Sequence, residues 1–437
     1  MNESLFIEFI KTIWPVLNIY IKAKVEPKKR TYLHKTMLRE VYSADQKWEG
    51  SSAKTTYVAA DIVAMDSPLP IKKRGTIATS NGKLPKIGMK KIFRETDINN
   101  VNIMRAHLAM ATTDDARKAE KQRILTTLLD DAVACSIGID EKNEANFLTG
   151  LSDGIILVPD EENTGTALRF DYGYLDENHF STEEKGKFSR DDFDRIFDKA
   201  DKDGNTIINV MVAKSTLKAI RKEDWAKMLV ADYQGKVYDS TSLLPTPSEK
   251  NFSDAFEDEW GATVTVVDRS VSYEKNGHQM NYKPWDADHI IFLCNTEVGS
   301  LVYGTLAEAT NPVNGVEYTT VDKYKLISKY SKNDPSLQEF TSGQALIVPV
   351  IEDVEQIYML DDANSIVVDD TAEKEDATDE YITLAGKKYK KADVAAQLTK
   401  LGIKADASNA DATLVKKVNQ LNEEDEATLY AALTAVD

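Results

Sequence analysis

Asp201, Asp203 and Asn205, in the stretch FDKADKDGNTII (197–208), are spaced as the first three oxygen ligands of a helix–loop–helix calcium site. An acidic segment, RDDFDRIFDKA, leads into them as an entering helix should. The rest of the loop departs from the pattern. With Asp201 as position 1, the sixth position, where the sharp turn needs glycine, is Thr206. The twelfth, which should supply both oxygens of a glutamate, is Val212. The apolar run IINVMVA alternates as a strand rather than opening a second helix. Asp203-Gly204-Asn205 therefore reads as a turn that ends a helix and starts a strand. A calcium-dependent binding protein is kept only as a minor alternative.

Other reactive residue types lack the company that chemistry requires. The five histidines (34, 107, 179, 278 and 289) show neither HExxH nor another paired metal spacing. GSLVYG (299–304) has glycines but no following Gly-Lys-Ser/Thr to hold phosphates, and no G-x-S-x-G elbow occurs. His289 opens a strongly apolar segment and reads as a structural histidine. Cys135 and Cys294 sit in apolar surroundings without CxxC spacing, which reads as two buried free thiols. No catalytic residue, cofactor or metal is expected, and the chain reads as a non-enzyme.

The elements around these residues are those of a large soluble chain. It has 437 residues, 42% hydrophobic and 29% charged, enough for two or three domains. A net charge of −18 argues against a protein that coats nucleic acid, because phosphate binding needs basic surface. The N-terminal stretch MNESLFIEFIKTIWPVLNIYIKAKV is not read as a membrane span or secretion signal, since Glu8, Lys11 and Pro15 interrupt it. Leu5, Phe6, Phe9, Ile10 and Ile13 instead share a helical face that must dock on the chain's own body or on a neighbour.

Residues 31–56 are polar and mixed, and 57–65 (YVAADIVAM) read as a strand. SPLPIKKRGTIATSNGKLPKIGMKKIFRETD (67–97) is basic, holds three prolines, and carries Asn81-Gly82 as a hairpin signal. A basic hairpin with so little to bury is either a mobile loop or an arm ordered on a partner. Residues 98–137 read as helix, with a fresh start at Thr112-Thr113-Asp114-Asp115 and an end at Gly138. About 25 residues at 1.5 Å rise would span roughly 37 Å, enough for a scaffold.

Residues 150–190 read as an irregular, partly extended insertion. Helix (189–200), strand (206–213), helix (214–230) and strand (262–268) then alternate, followed by a strand at 289–294 and short pieces at 345–351 and 355–359. The fold class is α+β. The domain reading is an N-terminal arm (1–56), an extended basic hairpin loop (57–97), a main body (98–360), an acidic linker (361–380) and a small helical module (381–437). In the module, Val394, Leu398 and Leu401, then Leu414, Val415, Val418 and Leu421, then Leu429, Leu433 and Val436 line three helices. Its layout resembles the small helix-loop-helix modules of SAP or LEM type.

YKPWDADHIIFLCNTEVGSLVYGTLAEATNP (282–312) and KLISKYSKNDPSLQEFTSGQALIVPVIEDVEQIYML (325–360) resemble stretches recurrent in major capsid proteins of tailed bacteriophages, of the Hong Kong 97-type fold and its lambda-type branch. The resemblance covers roughly residues 1–362, and the order of parts agrees with it: arm, basic hairpin, long spine helix, then peripheral and axial α/β domains. It implies a shell protein that assembles with itself as pentamers and hexamers around a DNA genome, without sequence-specific binding and without a membrane. Portal, decoration or scaffolding proteins are implied as further partners, and the virion and the bacterial host cytoplasm as locations. Another phage structural part, a tail tube or a portal, is the alternative. Lys72, Lys73, Arg74, Lys83, Lys86, Lys90 and Lys91 are the candidate subunit-interface residues, because the arm that carries them needs an acidic surface outside itself.

Overall fold

In the computed structural model the described residues are 3–11, 13–25, 32–53, 77–158, 168–236, 244–275 and 278–362, with 381–384, 387–390, Val394, Gln397 and Val418 beyond them. The strand expected at 57–65 lies outside them. The chain divides into two units, Met1–Asn364 and Ser365–Asp437.

The first unit is α+β and is organised by one helix, Asp114–Asp153, of 40 residues. At 1.5 Å per residue it is about 60 Å long. It starts as the sequence indicates: the Thr113 hydroxyl accepts from the Ala116 amide, and a preceding helix, Glu95–Met110, ends just before it. Its end differs. The helix runs through Gly138 and stops at Gly154, which adopts the left-handed conformation (φ 70°) of a C-terminal cap. Gly138 is a notch rather than a stop, because a Cβ there would stand 2.3 Å from the Met89 sulfur.

That contact belongs to the strand Lys86–Phe93, which joins a six-stranded sheet. The sheet centres on Leu337–Ile351, a 15-residue strand that includes the expected piece at 345–351. Lys325–Asn333 pairs antiparallel to it through residues 337–344, and Gly299–Gly304 through residues 346–351. Glu317–Val321 and Leu38–Tyr42 complete the order. Asn81 and Gly82 are not a turn. They lie inside the strand Ile77–Lys83, opposite Glu49 and Trp48 of Lys47–Ala53.

The apolar N-terminal stripe docks on its own body. Phe6, Ile10, Trp14, Leu17 and Ile21 pack with Val101, Ile124, Leu128, Leu129 and Ile327 in a single buried cluster. Each such side chain gains about 1.5–3 kcal/mol on burial before ordering costs. Leu5, at the margin of that stripe, stays 36% exposed.

A second sheet has the order His179–Ser181, Ile357–Asp361, His289–Leu293, Asn209–Ala213, Thr263–Val267. The helices Arg190–Asp203 and Glu249–Trp260 cover it through Phe193, Phe252 and Phe256, which pack with Phe292 and Tyr358. The single helix expected over 214–230 is two, Lys214–Ile220 and Asp224–Tyr233, because Arg221–Glu223 close a turn back to Leu217–Ile220. The stretch read as irregular contains the hairpin Ile155–Val158 with Leu168–Asp171.

In the second unit, the stretch ahead of the expected helical stripes is extended. Tyr381–Leu384 and Lys387–Lys390 form an antiparallel pair, as the alternation in YITLAGKKYK allows. Val394 and Val418, from two of the expected helical stripes, are helical and buried. The remainder of those stripes lies outside the described residues.

Candidate subunit-contact surface

The basic residues singled out by sequence divide among several positions. Lys72, Lys73 and Arg74 lie outside the described residues. Lys83 ends the strand Ile77–Lys83, directly opposite Lys47, and both side chains are exposed. Like charges facing each other across a strand pair are unfavourable. The pair is held at its base by Trp48, which is buried and meets Phe170 and Tyr172 at 5.6 and 6.2 Å between ring centroids. Beyond that anchor the two strands pair with each other and with no third strand among the described residues.

Lys86, Lys90 and Lys91 lie on the next strand and are brought onto the body. Lys86 and Lys90 share its exposed face, while Lys91 is half-buried on the other. The Lys90 ammonium sits 4.1 Å from the Phe340 ring centroid and 5.2 Å from that of Tyr330. Lys86, Gly88 and Lys90 also line a shallow cavity of about 600 Å³ with Glu308, Tyr318 and Gln344. Lys91 acts electrostatically on Asp131 of the long helix. Burial pushes that carboxyl above its usual range, while Lys329 and Lys91 oppose the shift.

Sequence reasoning missed the charged groups that fix this surface. Lys325, with a fully buried side chain, has its Nζ 2.7 Å from Asp140 Oδ1 and 2.8 Å from Asp322 Oδ2. Lys35 reaches the same two carboxylates at 3.0 and 3.4 Å. Burial alone would lower the Lys35 pKa, but Asp140 and Asp322 outweigh it and hold it above the usual value. Asp322 itself takes a left-handed backbone (φ 48°) in the turn before Lys325.

Lys329 is also buried, donating to Leu128 O at 3.1 Å and lying 3.5 Å from Glu339. Burial lowers its pKa against the pull of Glu339 and Asp131. Ser4 donates to Glu339 at 2.5 Å and Ser331 to the Glu3 carbonyl at 2.6 Å, so the N-terminal segment is pinned to the same strands. His34 and Glu144, both buried, meet at 2.6 Å. The signal available in sequence was only KLISKYSKN, lysines among apolar residues in a strand.

The suspected calcium loop is a helix end. Gly204 caps Arg190–Asp203 in the left-handed conformation (φ 78°). The Asp203 carboxylate takes Lys199 at 2.5 and 2.7 Å and the Tyr358 hydroxyl at 3.0 Å. Asn205 is turned to Tyr358, at 2.9 Å. Two of its three would-be ligands, Asp203 and Asn205, are therefore engaged by the protein itself. Cys135 is buried and Cys294 half-buried, both are free, and burial pushes each thiol up to about 12.

No protein-family model and no curated protein matches this chain. Among solved structures it is similar to a prophage protein of E. coli CFT073 described as a capsid protein, at 12% identity and a TM-score of 0.45, over 79% of this chain and 99% of that one. It is also similar to the capsid asymmetric unit of cyanophage A-1(L), at 11% identity and a TM-score of 0.41, over 76% and 92%. A third likeness is to the SrpI encapsulin of Synechococcus elongatus PCC 7942, at 9% identity and a TM-score of 0.33, over 77% and 89%.

Proposed function

We propose that this chain is the subunit of a closed protein shell, a major capsid protein of tailed-phage type that assembles as pentamers and hexamers around DNA. The observation that carries the proposal is the strand pair Lys47–Ala53 with Ile77–Lys83. An isolated two-stranded hairpin is marginally stable in water, and this one sets Lys47 against Lys83 in a chain of net charge −18. An acidic neighbour relieves the repulsion, and a second copy of the chain is a plentiful source of acidic surface.

The rest of the architecture supports the same reading. The long helix and the six-stranded sheet are joined by the buried Lys325–Asp140 ion pair and by the Lys329 ammonium on the Leu128 carbonyl. The order of parts is the one that the sequence resemblance implies. The described capsid and encapsulin functions belong to the similar proteins, and for this chain the phage assignment and the lambda-type branch stand on the sequence resemblance. Sedimentation velocity of the expressed full chain tests the proposal. Species far larger than a single chain are expected, and a lone monomer at every concentration and salt contradicts it.

A further inference from the structure

We propose that Asp153, Asp286 and His289 form a binding site for a first-row divalent cation, for which zinc is the best chemical match. Three separate elements deliver the donors: the last residue of the long helix, the turn after Pro284-Trp285, and the first residue of the strand His289–Leu293. One ligand atom from each lies within 4.8 Å of the others. His289 Nδ1 and Asp153 Oδ1 are 3.3 Å apart. A tetrahedral ion with bonds of 2.0–2.1 Å holds its donors roughly 3.3–3.4 Å apart. The remaining approach is therefore at most roughly 1.5 Å, within reach of a carboxylate rotamer change.

The supporting contacts are those that a metal centre uses. Metal-bound imidazoles usually face a carboxylate with their other nitrogen, and His289 Nε2 lies 3.8 Å from Asp361 Oδ1. Ser152 donates to Asp153 Oδ1 at 2.6 Å and accepts the Asp286 backbone amide at 3.3 Å, so one buried hydroxyl ties the Asp153 carboxylate to the turn that carries Asp286. Asp286 Oδ1 accepts the Asp288 amide at 2.9 Å, which leaves its second oxygen for a ligand. Thr149 holds the turn to the helix through the Pro284 carbonyl at 2.9 Å. Asp153 and Asp286 also line a cavity of about 410 Å³, which gives an ion its entry path and room for coordinated water. One imidazole with two carboxylates suits zinc, manganese or cobalt better than the all-oxygen cations. Bound there, the ion would staple the end of the long helix to the second sheet.

Calorimetric titration of the metal-free full chain with ZnCl2 tests the site. One equivalent should bind, and His289→Ala, Asp153→Asn and Asp286→Asn should each weaken binding at least tenfold. Asp361→Asn should weaken it about 10–100-fold, as loss of an orienting carboxylate does. Lys283→Ala, which removes a neighbouring cavity charge, should bind as the parent does. The melting temperature should rise with zinc in the parent and stay fixed in His289→Ala, and Co2+ should give the visible bands of a tetrahedral ion. Circular dichroism without metal checks that each variant is folded, and Asp286→Asn serves if His289→Ala is not. Absence of zinc binding overturns the proposal, as does binding unchanged in these variants or Ca2+ and Mg2+ binding within tenfold of zinc. None of these outcomes depends on whether the chain forms shells.

Discussion

A Cβ placed on Gly343 would stand 2.8 Å from the Cβ of Cys135 and 3.1 Å from Ile327 Cδ1. The central strand and the long helix therefore touch at a point where no side chain fits. The Ile327 methyl can swing aside, but Cys135 Cβ is fixed to the helix backbone, which itself lies 3.4 Å away, so the overlap is relieved by parting helix and sheet. Overpacking of this kind costs about 1–3 kcal/mol. Gly343→Ala should lower the unfolding free energy by that amount, read as a lower midpoint at unchanged slope in urea titration, and a midpoint equal to the parent's contradicts the close packing.

Glu144 anchors the N-terminal segment through His34 and the amides of Leu33 and His34. Burial would raise its pKa, but these hydrogen bonds and the His34 charge outweigh burial and hold it below the usual value. A folded-state pKa below the unfolded one gives stability that is complete above the unfolded value, about 4.3, and is lost as pH falls through the folded value. Glu144→Gln should cost about 1–3 kcal/mol at neutral pH, as weakening the hydrogen bonds to buried donors does. Stability measured between pH 7 and pH 3 should show that cost shrinking on the acid side. A cost independent of pH contradicts the assignment.

Asp201→Asn with Asp203→Asn should give a protein whose melting temperature is indifferent to calcium, as the parent's is. The Lys199–Asp203 pair is only partly shielded, so its loss should cost at most about 1 kcal/mol. Calcium-dependent stabilisation of the parent, lost in the double variant, contradicts the reading of this segment as a capped helix.

Much of the fold is legible where local chemistry decides it. Thr113 and Ser189 mark their helix starts because each hydroxyl accepts a free backbone amide. The apolar strand at 289–293 is legible from its composition. Gly138 and Asn81-Gly82 misled, because each serves a partner distant in sequence: Met89 in one case, the Trp48 ring in the other. The buried Lys325 and Lys329 were invisible for the same reason. A lysine reads as solvated until Asp140, Asp322 and Glu339 are known to lie beside it. His289 reads as structural until the fold brings it to Asp153.

The basic residues are expected to act between copies rather than within one. Reversing Lys72, Lys73 and Arg74 to Glu should leave the isolated subunit's melting temperature nearly unchanged, because partly exposed pairs contribute about 0–1 kcal/mol each. It should block assembly or make it salt-sensitive, since a shell repeats every contact. Reversing Lys83 and Lys86 should act in the same direction. Normal assembly of the triple variant at low and high salt, followed by sedimentation, contradicts a contact role for this arm.

Negative-stain microscopy of the purified full chain tests the central claim most directly. Closed particles of uniform diameter, built from five- and six-fold clusters, are the result the shell proposal predicts. A field of single subunits under every assembly condition, with no rings, sheets or shells, is the result that contradicts it.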